Sequence, residues 1–600
     1  MYYSNGNYEA FARPKKPADI DDKKAWMIGG GLAGMAAAAF LIRDAQMPGK
    51  NITILEASDV DGGALDGAGN EVTGWLLRGG REMESHFECL WDLYRSVPSL
   101  EVDGSVLDEF YWLNKEDPNF SYNRTTYGQG QLGGIDPKFT LGKRGQKDLM
   151  KLVMALPEDL YDKRINEVVS KKFFDSNFWL YWRTMFAFEE WHSALELKLY
   201  VQRFIHDIAG LSDFSALKFT RYNQYESLVL PLKKWLVDNG VTFQNDTKVI
   251  DVHFDIAQNH KQAEKLTWIR EGKEETIDLT ANDLVFFTNG SLVENSTWGD
   301  HHTPPVFDPE IHEGGSWALW RQIAKQDPSF GDPNNFCTKT EETYWESATI
   351  TVKDDRIRKY IERITERETN TGHTVTGGIV TVKDSNWLFS WTINRQGQFS
   401  NQPDDQTVVW FYGLFGDPEG NYVKKPLREC TGEEITKEWL WHMGVPEEEI
   451  EELAQEENVI TRPCMMPFIT AFFMPRNGTD RPHVVPKDVT NFAFIGQFAE
   501  STRDTIFTTE YSVRTAMEAV YQLANVDRGV PEVFGSIYDV RELLKATRYL
   551  RDGKMVRLPK VIAKFVEGNE AGQLLAQFGL IPKEGDVPEP TGAVTPTGAN

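Results

Sequence analysis

The chain has 600 residues, and Lys+Arg 64 against Asp+Glu 90 leaves a net charge of −26. That length exceeds what one hydrophobic core serves, and that charge argues against nucleic acid as a partner of the molecule as a whole. Cys89, Cys337, Cys430 and Cys464 are widely spaced with no CxxC pair, which argues against a disulfide framework and a structural zinc site, so no metal is expected. The most apolar stretch, Met27–Ile42, is broken by glycines and too short to span a bilayer. The first 22 residues are polar and hold no signal-peptide core, so a cytoplasmic protein is expected.

After that N-terminal extension, Trp26 to Glu56 reads as a short apolar strand, a glycine turn, an Ala-rich helix and a second strand closed by Glu56. Gly29 permits the tight turn, Gly31 lets backbone N–H groups approach a pyrophosphate, Gly34 lets helix and strand pack closely, and Glu56 can accept from ribose hydroxyls. The ligand implied contains an ADP moiety. Two glycine pairs follow, Asp61-Gly62-Gly63-Ala64 and Leu77-Arg78-Gly79-Gly80-Arg81-Glu82-Met83-Glu84, where backbone can lie flat against a ligand. They point to a flavin rather than NAD and place Gly63, Arg78, Gly79 and Gly80 in the cofactor site.

Further along, Val168 to Ile208 reads as mainly helical, with Leu197, Tyr200 and Phe204 on one buried face. Val241–Phe243, Lys248–Phe254 and Lys265–Ile269 read as strands of a meander that returns to the sheet at Leu284–Phe287 and puts Asn289 beside the cofactor. A third return, Asn491–Gln497, ends at Gly496 and precedes a helix from about Thr508 to Leu523. The expected fold class is α/β. A Rossmann-like FAD-binding domain of the two-dinucleotide type is split over 23–90, 226–300 and 486–525, and an α+β substrate-binding domain occupies 91–225 and 301–485. A helical C-terminal segment follows at 526–582, and 583–600 reads as a disordered tail.

The C-terminal segment stands out from this acidic chain. Arg541 to Lys564 carries Arg541, Lys545, Arg548, Arg551, Lys554, Arg557, Lys560 and Lys564 against only Glu542 and Asp552. Leu543, Leu544, Tyr549, Leu550, Val561, Ile562 and Phe565 are interleaved with them, which suits peripheral contact with an anionic membrane. The alternative is a solvated helix face.

Four motifs carry a family resemblance: Met1-Tyr2-Tyr3-Ser4-Asn5-Gly6-Asn7-Tyr8-Glu9-Ala10-Phe11, Arg78-Gly79-Gly80-Arg81-Glu82-Met83, Tyr222-Asn223-Gln224-Tyr225-Glu226-Ser227 and Trp391-Thr392-Ile393-Asn394-Arg395-Gln396. From Met1 to about Gly579 the chain resembles bacterial oleate hydratases, once called myosin-cross-reactive antigens. The resemblance implies hydration of the cis-9 double bond of free fatty acids such as oleate and linoleate, with FAD held without net redox chemistry, in a homodimer. It also implies that Glu82 orients or activates the water and Tyr200 faces the alkene, while Gln224, Thr392 and Asn394 hold the substrate carboxylate. Some relatives have His where this chain has Gln398, so carboxylate binding here would rely on neutral donors.

The residues suit that chemistry without imposing it. Hydrating an alkene puts a proton on one carbon and a hydroxyl on the other, and a phenol of pKa about 10 is a weak acid for the task. A charge such as that of Glu82 can stabilise developing cation character. Read without the resemblance, Glu82 beside Arg81 is a structural ion pair, and Tyr200 a core residue with a satisfied hydroxyl. A flavin oxidoreductase or double-bond isomerase acting on a long-chain lipid, and a non-catalytic fatty-acid carrier, are the competing readings.

Overall fold

The computed structural model describes residues 8–582 apart from 66, 120–122, 133–137, 212–214, 376–378, 502–503, 557, 559–561, 563–565 and 567–568. The first seven residues, the tail 583–600, and Arg557, Lys560, Val561, Lys564 and Phe565 of the basic segment lie outside the described residues.

β1 (Lys24–Ile28), α1 (Leu32–Arg43) and β2 (Ile52–Leu55) form the expected βαβ unit, with β1 and β2 parallel and Trp26 opposite Thr53. Near-continuous apolar runs suit strands covered on both faces. α1 has no polar face to offer solvent, and Leu32 to Leu41 are all buried. The sheet extends on both sides in the order Phe492–Ile495, Asp283–Thr288, β1, β2, Thr242–Gln244, every neighbour parallel. Both late returns of the chain therefore join the sheet as expected, Asp283–Thr288 beside β1 and Phe492–Ile495 beside Asp283–Thr288. Helix Thr509–Leu523 follows the last of them and packs on α1.

The meander differs from the expectation at both ends. Thr242–Gln244 follows helix Leu230–Asp238, so it arrives by a crossover and joins the parallel sheet beside β2. The meander itself is Thr247–Ala257, His260–Arg270 and Lys273–Asp278, joined by tight turns in which Asn259, Glu271 and Gly272 have positive φ. The third of these strands is polar and mostly exposed, so it carries no alternation for sequence reading to detect.

A second, eight-stranded sheet runs in the order Thr297–Trp298, Val459–Met466, Trp345–Val352, Thr407–Gly413, Phe389–Thr392, Val380–Val382, Arg124–Tyr127, Gln131–Leu132. Strand Trp345–Val352 divides its environment by the two-residue period of a strand. Ala348, Ile350 and Val352 enter a separate core with helices Asp355–Thr365 and Gly432–His442. Thr349 and Thr351 face the other way and accept from the backbone N–H groups of Leu77 (2.8 Å) and Trp75 (3.1 Å). The segment beginning at Arg78 is thereby suspended between the two sheets. Leu197, Tyr200 and Phe204 are buried as expected. Among the described residues, no helix is long and apolar enough to cross a membrane.

Candidate active site

A cavity of about 900 Å³ runs from the glycine turn after β1 to an aromatic arm formed by Phe186, Phe204, Phe472, Phe473 and Phe507. That is near the upper end of the ~300–1,000 Å³ usual for small-molecule sites. Gly29, Gly31, Glu56, Gly63, Arg78, Gly79, Gly80, Glu82, Gln224 and Gly496 all line it. Gly34 lies behind it.

The cradle fits a dinucleotide. A Cβ on Gly34 would lie 2.1 Å from the carbonyl oxygen of Gly29, so close packing of α1 on β1 requires glycine there. A Cβ on Gly31 meets nothing nearer than Gly63 Cα at 3.7 Å, so its bare face opens on the cavity. Thr288 Oγ1 is buried on the same wall without a protein partner, a polar group left for a ligand. Glu56 accepts from Gly30 N at 2.7 Å and from Ser58 N at 2.9 Å. Gly30 also belongs to this machinery, because a Cβ there would lie 2.8 Å from Asp61 Oδ1. Its constraint comes from side chains distant in sequence, which a local motif does not display. Gly496 has φ +91° and donates to Thr515 Oγ1 at 2.9 Å, so it contributes close approach rather than a free N–H. Asn289 does not reach the cavity: it is fully buried and its amide donates to Phe498 O at 3.1 Å, bracing the return strand.

Glu82 lies on the wall of the cavity that the cradle and the aromatic arm share. Its accessible surface faces the cavity, while densely packed protein surrounds it. Burial pushes its carboxyl above the ordinary carboxylate range, opposed by a backbone N–H and the charge of Arg81. Arg81 adopts φ +60° and sends its guanidinium to Ala64 O. Arg78 sits over the Trp298 ring at 5.5 Å.

Tyr200 is not where the resemblance places it. The hydroxyl donates to Ile506 O at 2.8 Å, and the ring stands edge-on behind Phe186 (5.3 Å) and Phe473 (5.4 Å), which themselves line the cavity. Burial drives its pKa well up. Two other tyrosines, Tyr225 and Tyr412, do line the cavity, and Tyr412 is close enough to Glu82 to feel its charge while donating to Thr184 O. Sequence reading missed Tyr412 because Thr407–Gly413 looks like an ordinary buried strand.

Of the three residues expected at the carboxylate, Gln224 and Asn394 converge and Thr392 does not. Thr392, 3% exposed, lies in the sheet opposite Trp410 and lines neither the main cavity nor a small one of about 10 Å³ beside it. Gln224, Asn394 and Gln398 line the small one.

Beneath the cavity lies a buried ionic chain. Arg203 is 3.0 Å from Glu84 and 3.0 Å from Asp504, Asp504 is 3.0 Å from Arg514, and Arg514 is 2.8 Å from Glu510. It ties helices Ala194–Arg203 and Thr509–Leu523 to Glu84, which lines the cavity. Arg203 and His206 hold the Glu84 carboxyl well below the usual range. His206 also lies 3.4 Å from Asp207, and the adjacent Arg203 gives this Glu84–His206–Asp207 group the character of an ion network.

Fold and site together define an α/β protein whose glycine-lined cradle fits a dinucleotide and whose cavity carries a buried carboxyl group, Glu82, on its wall. The chain belongs to the MCRA family, which its residues 22–521 match. It is 51% identical over 572 residues, covering 94% of this chain and 96% of the relative, to a Streptococcus pyogenes serotype M49 (strain NZ131) protein named oleate hydratase. It is 32% identical over 573 residues, 88% of this chain and 96% of the relative, to a Lactiplantibacillus plantarum protein named linoleate hydratase. Among solved structures, cyclohexylamine oxidase from Brevibacterium oxydans IH-35A matches with TM-score 0.48 and 12% identity, over 84% of this chain and 99% of that one.

Proposed function

We propose that this protein is a hydro-lyase that adds water across the cis-9 double bond of free unsaturated fatty acids, converting oleate to 10-hydroxystearate, with FAD held in the cradle. The observation that carries the reading is the position of Glu82, a buried carboxyl group on the wall of one cavity that takes in both a glycine cradle and an apolar arm suited to an alkyl chain. The hydratase names of relatives aligned over most of the chain support the same reaction.

In this reading Glu82 orients a water and takes up its proton as the C10–O bond forms. The π electrons form the new C–H bond at C9 with a proton drawn from the solvent, to which Glu82 afterwards releases its own, so water is the only co-reactant and no oxidant or reductant is consumed. Gly31, Gly63, Gly79, Gly80 and Glu56 would hold the FAD, which would supply electrostatic stabilisation of developing charge. Gln224 and Asn394 would receive the carboxylate end. Tyr200 acts from behind the wall, its hydroxyl fixing Ile506 next to Phe507.

The proposal extends to a cytoplasmic homodimer that touches the inner membrane face to collect its substrate. Among the described basic residues, Arg548 and Lys554 are exposed, and helix Val540–Leu550 lies against helix Gly142–Met154, where Gln146 donates to Leu550 O at 3.4 Å. The latter helix adds exposed Lys143, Arg144, Lys147 and Lys151 beside exposed Met150 and Met154. Leu543 and Leu550, expected to meet lipid, pack instead on the protein core.

The test is to incubate the FAD-loaded protein with oleate in oxygen-18 water. A singly labelled 10-hydroxy acid, with no oxygen uptake, is the expected product. Flavin bleaching with an unlabelled product would give the oxidoreductase or isomerase reading, and unchanged oleate the carrier reading.

A further inference from the structure

Gln224 and Asn394 come from distant parts of the chain and grip the same loop. Asn394 Nδ2 donates to the carbonyl oxygen of Gly80 at 2.7 Å, and Gln224 Nε2 donates to that of Arg81 at 3.2 Å. These carbonyls belong to the two peptide units immediately before Glu82. A carbonyl oxygen only accepts, so the contacts fix which way each amide faces. What remains, buried and without a partner, is Gln224 Oε1 and Asn394 Oδ1.

That arrangement does not suit an anchor alone. The two free oxygens are acceptors, which repel a carboxylate, and each amide nitrogen has one of its two hydrogens committed to the loop. The space the two share, about 10 Å³, holds at most one water, and of the two only Gln224 also lines the main cavity. The loop, in turn, needs holding. It carries the flexible pair Gly79-Gly80 and a non-glycine residue, Arg81, at φ +60°. Its far end is fixed by Met83 and Lys218, which exchange backbone hydrogen bonds of 3.0 and 2.8 Å, and its near end by Thr349 at Leu77.

We propose that Gln224 and Asn394 are positioning residues for Glu82, holding its carboxyl group at the cavity through the carbonyls of Gly80 and Arg81. The inference rests on the hydratase reading for its catalytic consequence and on hydrogen bonding alone for its structural one. A misplacement of about 1 Å at a reacting group is enough to lose on the order of 100-fold in rate.

The test compares FAD-loaded wild type with Gln224→Met and with Asn394→Leu, side chains of similar size that lack the amide. Gln224→Asn, one methylene too short to reach Arg81, replaces Gln224→Met if that variant loses FAD. Hydrogen–deuterium exchange over residues 78–84 should rise at least about fivefold while β1 and α1 exchange as in wild type. At saturating oleate, kcat should fall about 10- to 100-fold, a loss that saturation with substrate does not restore. Unchanged exchange across the loop would overturn the proposal. So would retained kcat with a Kd raised tenfold or more, the result of an anchor and nothing else. A wild type that leaves oleate unaltered would overturn the hydratase reading alone, since the exchange measurement decides the clamp without turnover.

Discussion

The carboxylate of Glu56 accepts a hydrogen bond from the backbone N–H of Gly30 at 2.7 Å. The residue that closes β2 therefore braces the glycine turn that follows β1, besides facing the nucleotide cradle. Losing one such charged contact is worth about 1.5–3 kcal/mol. Glu56→Ala is accordingly expected to raise the Kd for FAD by at least about tenfold in a flavin fluorescence titration; an unaltered Kd would remove Glu56 from cofactor binding.

Two glycines of one motif should fail in different ways. Gly34→Ala drives a methyl group to 2.1 Å from Gly29 O, and overpacking of that kind costs about 1–3 kcal/mol or more, so the apo protein should unfold at a lower temperature. Gly31→Val has space on its own side of the backbone but fills the cradle. It should keep the apo melting temperature and lose FAD. Equal melting temperatures for the two apo variants would contradict this division.

Glu82→Gln should fold, bind FAD and lose about 10²–10⁴ in kcat, the range for removal of a positioned acid or base. Because burial raises the Glu82 pKa, wild-type kcat should rise with pH through a limb above the ordinary carboxylate range, and the variant should lose that limb. Tyr200→Phe removes a buried hydrogen bond worth about 1 kcal/mol and should lower kcat by roughly fivefold. A loss as large as that of Glu82→Gln would put the Tyr200 phenol back at the alkene.

Glu346 is 1% exposed in the second sheet, and neither of its carboxyl oxygens has a hydrogen-bond partner. Burial pushes its pKa far up. A raised folded-state pKa contributes stability that is fully present below the unfolded value, near 4.3, and is lost as pH rises toward the folded one, at up to about 1.4 kcal/mol per pH unit. Glu346→Gln cannot ionise. Its melting temperature relative to wild type should be higher at pH 8 than at pH 5, and a gap independent of pH would refute the assignment.

Charge reversal at exposed Arg548 and Lys554 should weaken sedimentation with phosphatidylglycerol vesicles, since each basic residue near an anionic surface contributes about 1 kcal/mol and the rest of the acidic chain is screened over about 8 Å. Binding equal to wild type, in a folded FAD-loaded variant, would make the segment a solvated face.

The sequence alone determined the βαβ unit, both late returns to the sheet and the buried helical face around Tyr200, because strand and helix periodicity and the glycine turn are local properties of the chain. It also brought Glu82 into view through its glycine-flanked motif. Tertiary structure decided which side chains reach the cavity. Tyr200 and Phe204 share a helical face, yet only Phe204 is exposed to the cavity, because Phe186 and Phe473, from other elements, cover the phenol. Asn289 turns to Phe498, Thr392 is held within its sheet, and Tyr412 arrives from a strand with no functional signature. The amides of Gln224 and Asn394 meet Arg81 and Gly80, respectively, across separations of 143 and 314 residues. No local pattern records such a meeting, since hydrogen bonds and burial depend on where distant segments pack.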